Sequence, residues 1–328
     1  MRIIDANLNR ATEGLRVVEE ICRFILEDAK LTLAAKQLRG RLSRVIKAEL
    51  ASRDSAGDVG REPYTKNERS RAGLASVFRA NIKRTQEAVR CLEEFTKLLK
   101  PAYGQAFKAV RFELYELEKK IASRLAKALK LDFDLYIVTN DPKAARSALA
   151  KGVRIVQYRD KEADKHSYLK TAKKLAALTK IHGAALILND HWSLVAEAGA
   201  DGVNVGQEDL KKNSFGSIRR KLGADAIIGV SVSNLAQAQR AQKLGADYVG
   251  VGPVFATPIK QEAKAVGLKE LKRIVELVGI PVVAIGGVGK NNVQQVLETG
   301  CSRVAAIRAA GELSRLRQQV WRSGQDLR

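Results

Sequence analysis

The chain has 328 residues, of which 45% are hydrophobic, enough for two domains or for one large barrel with an extension. No apolar run reaches the roughly 18–20 residues that span a bilayer, and the first residues lack the apolar segment of a signal peptide. The net charge of +22 is spread over residues 1–128 (+10) and 129–328 (+12), with only 5% aromatic residues, which disfavours a dedicated nucleic-acid-binding protein.

Residues 1–129 are predicted to form an all-helical domain. Apolar residues recur there at spacings of three and four, which is typical of amphipathic helices. The residues concerned are Leu15, Val18, Ile21, Cys22 and Ile25, followed by Leu31, Leu38, Leu42, Val45 and Ile46. The polar, glycine-rich stretch 53–63 is the predicted connection, and Pro63 and Pro101 stand where helices are expected to break.

This helical domain contains an internal repeat with an offset of 74 residues. Six polar positions recur: Asn7, Arg10, Glu13, Arg16, Glu19 and Glu20 correspond to Asn81, Arg84, Glu87, Arg90, Glu93 and Glu94. Their spacing places them on one face of each of two related helices. We favour a ladder of Glu–Arg ion pairs on these helices. The alternative is that the asparagines and arginines of both helices meet and bind an anion.

From about residue 134, short β-rich segments alternate with helical ones, a pattern typical of βα units on a parallel sheet. The predicted strands are residues 135–140, 154–159, 185–190, 202–206, 227–232, 248–254, 281–287 and 303–309. Helices are predicted between them, for example over 168–181, 235–244, 268–278 and 292–299. Eight such units predict an α/β fold, a (β/α)8 TIM barrel over residues 130–328 preceded by the helical domain. An open doubly wound sheet is the alternative.

Catalytic groups of such barrels lie at the carboxyl ends of the strands. At the end of the second strand, alternation sends Gln157, Arg159 and Lys161 to one side and Tyr158 and Asp160 to the other. Two cations and an amide that converge inside a barrel require an anionic partner, because a buried unpaired charge is costly.

Carboxylates follow the third and fourth strands. Asp190 comes directly after Asn189, and Asp209 follows the fourth strand. Carboxylates at adjacent strand ends suit Mg²⁺, with substrate phosphates as further ligands. Simple salt bridges of these two residues with Arg159 and Lys161 are the alternative.

The remaining strand ends offer hydroxyls, a cation and a glycine pair. Ser231 ends the fifth strand, Thr257 and Lys260 follow the sixth, and Gly286 and Gly287 follow the seventh. Adjacent glycines let backbone N–H groups approach a phosphate closely, and with residues 308–309 they occupy the usual phosphate position of these barrels. The mouth is therefore predicted to bind a diphosphate and a separate monophosphate.

No general base stands out among the three histidines. His166 and His182 fall in predicted helical segments, where we expect them to be solvated, and only His191 follows a strand end. No Ser-His-Asp or Cys-His set is present for nucleophilic catalysis. The predicted chemistry is departure of a diphosphate, assisted by Mg²⁺ and by cationic side chains.

These motifs, in this order, resemble the thiamine-phosphate synthase family over residues 134–310. The motifs that carry the resemblance are residues 157–161, 189–190, 202–209, 229–231, 252–257 with Lys260, and 285–288. The resemblance implies a transferase of thiamine biosynthesis. The family joins 4-amino-2-methyl-5-(diphosphomethyl)pyrimidine to 4-methyl-5-(2-phosphoethyl)thiazole, or its carboxylated form, and releases diphosphate by a dissociative mechanism.

The resemblance also implies roles for individual residues. Gln157 would hold the pyrimidine with Ser231 beside it, and Asp190 and Asp209 would hold Mg²⁺. The diphosphate would be bound by Arg159, Lys161, Asn189 and Lys260, and the thiazole phosphate by Thr257, Gly287 and the backbone at residues 308–309. We count Arg159, Lys161, Lys260 and Ser231 as catalytic and add Tyr158 and Asp160 to the substrate-binding set.

The chain departs from the family pattern at three positions: Ile259 replaces a threonine, Asn204 a frequent histidine and Arg308 a common serine. None of these removes a metal ligand or a cation for the diphosphate, so we expect activity to survive. The helical domain looks like an extension found ahead of this synthase in some bacteria, on the stretches 5–10 and 80–84, which implies no function for it.

Two other functions remain open from the sequence: a thiazole tautomerase-like enzyme on the same barrel, and a non-catalytic binding or regulatory protein. The three cysteines, Cys22, Cys91 and Cys301, lack metal-ligand spacing and are odd in number, so we expect reduced thiols in a cytoplasmic protein. The expected partners are small-molecule substrates, with a homo-oligomer possible and without nucleic acid or membrane.

Overall fold

A computed structural model describes residues 1–46, 71–257 and 264–306. The chain divides into two compact units, Met1–Ala128 and Leu129–Arg328. The predicted connection at 53–63 lies outside the described residues. Within the described part of the chain, no helix is both long and apolar enough to cross a membrane.

The first unit is helical, as predicted. Its helices are α1 (Arg2–Glu20), α2 (Ala29–Val45), α3 (Leu74–Phe95) and α4 (Pro101–Leu131). A π-helical turn extends α1, and the Asp28 carboxylate caps α2 by accepting hydrogen bonds from the backbone N–H groups of Lys30 and Leu31. The apolar faces of the four helices share one core.

Helices α1 and α3, which carry the repeat, pack closely at Gly14. A Cβ atom on Gly14 would lie 2.4 Å from Thr85 Oγ1 and 2.8 Å from the Asn81 carbonyl oxygen. Thr85 Oγ1 donates to the Asn81 carbonyl (2.9 Å), in its own helix, and lies 3.4 Å from the carbonyl of Ala11 on α1. The absence of a side chain at Gly14 therefore sets the distance between the two helices.

Part of the repeat forms the ion pairs that the interpretation we favoured predicts. Arg16 pairs with Glu20 (2.6 Å), and Arg90, its equivalent, pairs with Glu94 (3.0 Å). The side-chain amides of the equivalent asparagines donate to carbonyls of their own helices, Asn7 to Ile3 and Asn81 to Val77. The asparagine amides and Arg16 and Arg90 are thus engaged within their own helices. Arg10 and Arg84 are exposed and form no ion pair with a described residue, so anion binding stays a prediction for these two.

Two further pairs connect neighbouring helices. Glu19 of α1 accepts a hydrogen bond from Arg39 of α2 (2.9 Å), and Glu93 of α3 accepts one from Arg111 of α4 (2.7 Å). Both carboxylates are buried. Burial acts to raise the pKa of Glu93, but the hydrogen bond and charge of Arg111 and the charges of Arg90 and Lys97 outweigh it, so that the pKa lies below its usual value.

The second unit is a closed barrel of eight parallel strands, which confirms the predicted fold. Its strands are β1 (Leu135–Thr139), β2 (Ile155–Tyr158), β3 (Ala185–Asn189), β4 (Gly202–Val205), β5 (Ile227–Val232), β6 (Tyr248–Val251), β7 (Val282–Ile285) and β8 (Arg303–Ala306). Each strand pairs with the next, and β1 pairs with β8, with Leu135 opposite Val304. This closure excludes the open sheet.

Helices cover the outside of the barrel. They are α5 (Pro142–Ala150), α6 (Lys165–Ile181), α7 (Val195–Ala198), α8 (Gln207–Lys212), α9 (Phe215–Leu222), α10 (Leu235–Leu244), α11 (Gly267–Leu277) and α12 (Val293–Leu297). One large apolar cluster fills the layer between these helices and the strands, and a smaller one fills the barrel interior.

Successive side chains along each strand point alternately into and out of the barrel, and this determines which polar residues point inward. Ile155, Ile187 and Ile227 belong to the interior cluster. Side chains two or four positions further along the same strands therefore point inward as well, nearer the carboxyl ends. These are Gln157 on β2, Asn189 on β3 and Ser231 on β5.

We predict that Glu93→Gln destabilises the helical unit by about 2 kcal/mol, because Arg111 then loses its charged partner in a buried setting. Since the folded-state pKa of Glu93 is lowered, its contribution is present above the usual value of 4.5 and is lost as the pH falls through the lowered value. The difference in unfolding temperature between wild type and variant should therefore be largest near neutral pH and should shrink in acid.

Glu94→Gln is the matched control, because Glu94 is adjacent, bears the same charge and is exposed. Its unfolding temperature should stay close to that of the wild type. Equal shifts for the two variants, measured by circular dichroism, would contradict the structural role of the Glu93–Arg111 pair.

A candidate active site at the carboxyl ends of the strands

The end of β2 brings an amide and two cations to the mouth of the barrel. Gln157 is buried, and its Nε2 donates to the hydroxyl of Tyr136 on β1 (2.7 Å). The backbone N–H of Arg159 donates to the Thr139 carbonyl (3.1 Å), so the pairing of β1 and β2 continues one residue beyond the strand. Arg159 is half-buried and Lys161 is exposed.

Tyr158 and Asp160, which we had placed in the substrate-binding set, differ in their surroundings: Tyr158 is enclosed, whereas Asp160 is half-buried and stays a predicted substrate contact. The ring of Tyr158 is fully buried outside the strands, 4.3 Å from the ring of Tyr168, and has no open surface for a substrate. The Asp160 carboxylate accepts hydrogen bonds from the backbone N–H groups of Glu162 (3.1 Å) and Ala163 (3.2 Å). Both side chains point away from Gln157, as strand alternation requires.

Two carboxylates converge beside this loop. Asp190 follows β3 with a positive φ of 63°, and its N–H donates to the Asn204 carbonyl (2.9 Å). Asp209 lies in the first turn of α8, where its Oδ2 accepts from the Gly206 N–H (3.1 Å). A Cβ atom on Gly206 would lie 3.2 Å from Asp209 Oδ2 and 3.9 Å from Asp190 Oδ1, so both carboxylates face this glycine.

The proximity of these carboxylates changes the acidity of Asp190. Burial of its inner side raises the pKa of the Asp190 carboxyl to about 6, and a hydrogen bond and the negative charge of Asp209 act in the same direction. Arg159 and Asn189 act to lower it. Carboxylates that share a site repel each other when both are ionised. A hard divalent cation between them removes this repulsion.

The donor set fits such a cation only with help from other ligands. Among the described residues there is no group of three or more His, Cys, Asp or Glu side chains that could hold a metal. Asp190 and Asp209 would therefore supply two oxygen ligands, with water and substrate oxygens completing the shell. Neither carboxylate forms an ion pair within 4.0 Å with Arg159 or Lys161, which disfavours the salt-bridge alternative.

A hydrogen-bond network fixes the inner wall at β4 and β5. Asn204 Nδ2 donates to Ser231 Oγ (2.9 Å), and Gln207 Nε2 donates to the Ser231 carbonyl oxygen (2.6 Å). Neither Asn204 nor Gln207 was predicted as a site residue. The inward parity of Asn204 on β4 is the signal that would have found it, because a polar side chain inside a barrel of apolar neighbours has a partner there.

The glycine pair after β7 forms a tight turn. Gly286 and Gly287 both have positive φ, 92° and 69°. A Cβ atom on Gly286 would lie 2.6 Å from Pro253 Cα, and one on Gly287 would lie 2.7 Å from Phe255 Cβ. Backbone hydrogen bonds from Val254 and Phe255 to this turn (2.9 and 3.1 Å) hold the loops after β6 and β7 together. Such turns aim N–H groups at an anion.

Of the other predicted residues near the mouth, some are described by the structure and some are not. Thr257 is half-exposed in the loop that follows β6. Lys260, Ile259 and Arg308 lie outside the described residues. His191, next to Asp190 in the sequence, contacts the ring of Tyr168 at an angle of 55°, with ring centroids 4.3 Å apart. His166 and His182 are exposed, as expected.

Two family models match the chain. The model described as thiamine monophosphate synthase matches residues 135–310, and the model described as the ThiD2 family matches residues 2–120.

Several curated relatives match almost the whole chain. A thiamine-phosphate synthase from Nostoc punctiforme is 41% identical over 313 residues, covering 94% of this chain and 88% of the relative. One from Synechocystis is 41% identical over 317 residues and covers 95% and 91%. A thiamine phosphate pyrophosphorylase of known structure, from Pyrococcus furiosus, is 35% identical with a TM-score of 0.54, covering 60% of this chain and 98% of that chain.

We predict that Gly287→Ala weakens the binding of a phosphomonoester at the glycine turn. The new methyl group meets Phe255, and the positive φ costs an alanine about 1–2 kcal/mol. The turn relieves this strain by changing its shape, which moves its N–H groups away from the phosphate, and we expect the affinity to fall by roughly fivefold or more. The measurement is a titration with ethyl phosphate, followed by NMR at the amides of residues 286–288.

Gly289→Ala is the matched control, because no atom lies within 4 Å of a Cβ at that position. Its affinity should equal that of the wild type. If both variants bind ethyl phosphate like the wild type, the glycine turn is not a phosphate site.

Proposed function

The chain belongs to the thiamine-phosphate synthase family, a family of transferases, and we propose that its barrel couples the aminopyrimidine diphosphate with the thiazole phosphate. The products are thiamine phosphate and diphosphate. The observation that carries the proposal is the convergence of Asp190 and Asp209 beside Arg159, separate from the glycine turn at Gly286–Gly287. A diphosphate and a monophosphate then bind on opposite sides of one mouth.

We propose that Asp190 and Asp209 hold Mg²⁺. When bound, this ion supplies positive charge to the diphosphate oxygens, which favours their departure. The proximity of the two carboxylates supports the assignment, because a divalent cation relieves their repulsion. Burial is the main cause of the raised pKa of Asp190, and the hydrogen bond and charge of Asp209 add to it.

The cationic side chains of the mouth stabilise the same leaving group. Arg159 lies close enough to Asp190 to affect its pKa, so it would lie near a diphosphate held by the two carboxylates through Mg²⁺. Lys161 and Lys260 add charge by the family resemblance. Preorganised cations act on the charge that develops on the leaving oxygens and so lower the barrier to C–O cleavage.

The pyrimidine binds between Gln157 and Ser231. Both residues point into the barrel at the carboxyl ends of β2 and β5, and both are held by hydrogen bonds, Gln157 to Tyr136 and Ser231 from Asn204. Fixed neighbours of this kind orient the methylene carbon of the substrate toward its attacking nitrogen.

The thiazole phosphate binds at the glycine turn with Thr257. The thiazole nitrogen provides the electron pair for the new C–N bond, while the pair of the C–O bond leaves with diphosphate. No proton is transferred in this step, so the mouth needs cations and oriented amides instead of a general base. The tautomerase-like alternative would not need Asp190, Asp209 and the cations together.

We predict that Asp190→Asn and Asp209→Asn each lower kcat/KM by about a hundredfold, because the leaving group loses charge stabilisation. The measurement is diphosphate release with both substrates at a fixed Mg²⁺ concentration. Raising the Mg²⁺ concentration should partly restore activity in each variant, since one carboxylate remains.

Glu208→Gln is the control for a neighbouring negative charge, because Glu208 is exposed and pairs with Lys211. It should retain wild-type activity. Absence of diphosphate release by the wild-type protein, or full activity of both aspartate variants, would contradict the proposed function.

The helical unit is not needed for the proposed chemistry, and we predict that residues 130–328 alone retain turnover. All the site residues named above belong to the barrel, and the Pyrococcus furiosus structure aligns over 98% of its length to 60% of this chain. The experiment compares kcat of the truncated and full-length proteins, with circular dichroism to establish folding. A folded but inactive truncation would show that the helical unit takes part in catalysis.

A further inference from the structure

A chain of hydroxyl groups lies beneath Gln157, inside the barrel. The hydroxyls of Tyr136 on β1 and Tyr248 on β6 are 2.9 Å apart, and Gln157 Nε2 donates to that of Tyr136 (2.7 Å). Both tyrosine side chains are buried in the interior cluster, which is otherwise apolar. Polar groups are costly in such a core unless they are paired, so this arrangement requires a reason.

The packing of the interior places these hydroxyls. The rings of Tyr136 and Tyr248 meet edge to face with centroids 6.0 Å apart, and Phe133 meets Tyr136 in the same way at 5.8 Å. A Cβ atom on Gly229 would lie 2.0 Å from Tyr248 Cζ and 2.4 Å from its hydroxyl oxygen. The missing side chain at Gly229 therefore provides the space in which the Tyr248 ring points toward β1.

The hydroxyl pair contacts one end of the Gln157 amide. A glutamine amide can turn by 180° and exchange its donor and acceptor ends. Here the Nε2 end is held by Tyr136, while Oε1 forms no hydrogen bond with a described residue. Gln157 is 4% exposed, and its Oε1 is not among the fully enclosed polar atoms that lack a partner, so this oxygen keeps some accessible surface.

Both phenols stay neutral under all ordinary conditions. Burial raises the pKa of Tyr136 well above its usual value, with further contributions from Tyr248, and burial likewise raises the pKa of Tyr248. Each hydroxyl therefore keeps its proton, so that Tyr136 can donate to Tyr248 while it accepts from Gln157 Nε2. Titration of the phenols does not disturb this arrangement within the working pH range.

We propose that Tyr136, supported by Tyr248, is a positioning residue that holds the Gln157 carbonyl oxygen toward the mouth to accept a hydrogen bond from the exocyclic amino group of the pyrimidine. This inference rests on the proposed function and adds the origin of selectivity for an aminopyrimidine. A site built to pair with an N–H group discriminates against an analogue that lacks it, because its own polar atom is then left unpaired.

The experiment compares the 4-aminopyrimidine diphosphate with its des-amino analogue. Binding of each is measured by calorimetry with Mg²⁺ and without the thiazole substrate. The wild type should prefer the amino compound by about tenfold, the worth of one buried hydrogen bond. In Tyr136→Phe the preference should fall to within about twofold, because the Gln157 amide is then free to turn. KM for the thiazole phosphate should stay unchanged.

Two further variants separate positioning from packing. Tyr248→Phe should lower the preference in the same direction but less, since Tyr136 still contacts Gln157. Ile155→Val removes one methylene from the interior cluster and leaves the hydroxyls in place, so it should lower the unfolding temperature and keep the preference. An equal loss of preference in Ile155→Val would show that general packing is responsible and would overturn the proposal.

The outcomes distinguish this inference from the proposed function. A wild-type protein that releases diphosphate, together with a Tyr136→Phe variant that keeps the wild-type preference, overturns the inference and leaves the function intact. Failure of the wild type to discriminate between the two compounds also overturns it. Failure of the wild type to release diphosphate overturns the proposed function.

Discussion

Closure of the sheet by the pairing of β1 with β8 is the constraint on which the candidate site depends. It places eight strand ends in a ring and directs alternate side chains of every strand to a common interior. Residues far apart in the sequence, such as Gln157 and Ser231, thereby point to the same volume. The interior leaves little room, so glycines at two strand positions, Gly202 and Gly229, accommodate their neighbours. The chemistry of the mouth is thus supported by a filled core directly below it.

The sequence was sufficient to predict the barrel, because its strand and helix periods repeat eight times and the glycine pair stands at a recognisable strand end. It was also sufficient to separate Gln157 from Tyr158 by alternation, although we nevertheless counted Tyr158 with the substrate contacts. The sequence was not sufficient to predict that the hydroxyls of Tyr136 and Tyr248 pair with each other and with Gln157. A single tyrosine in an apolar strand is typical of a core residue, and only the three-dimensional pairing shows that its hydroxyl reaches across the barrel.

In the helical unit the repeat predicted the ion pairs within helices but not those between them. Arg39 follows Glu19 by 20 positions, whereas Arg111 follows Glu93 by 18. Arg39 and Arg111 are therefore 72 positions apart, so the repeat offset of 74 does not relate the second helices of the two pairs. Both arginines nevertheless reach the buried carboxylate of the preceding helix. The two spacings differ by two residues, and this difference lies in the connections between the helices, where packing constrains the chain length least.

The close approach at Gly14 makes the two copies of the repeat unequal. By the offset of 74, the position equivalent to Gly14 is Ala88, and the position equivalent to Thr85 is Ala11. One copy provides the gap and the other provides the side chain that fills it. If the two helical segments were exchanged, Ala88 would occupy the place of Gly14. Its methyl group would then lie only 2.8 Å from the carbonyl oxygen of the facing helix. The helical unit is therefore symmetric in its charges and asymmetric in its central contact, so its two halves are not interchangeable.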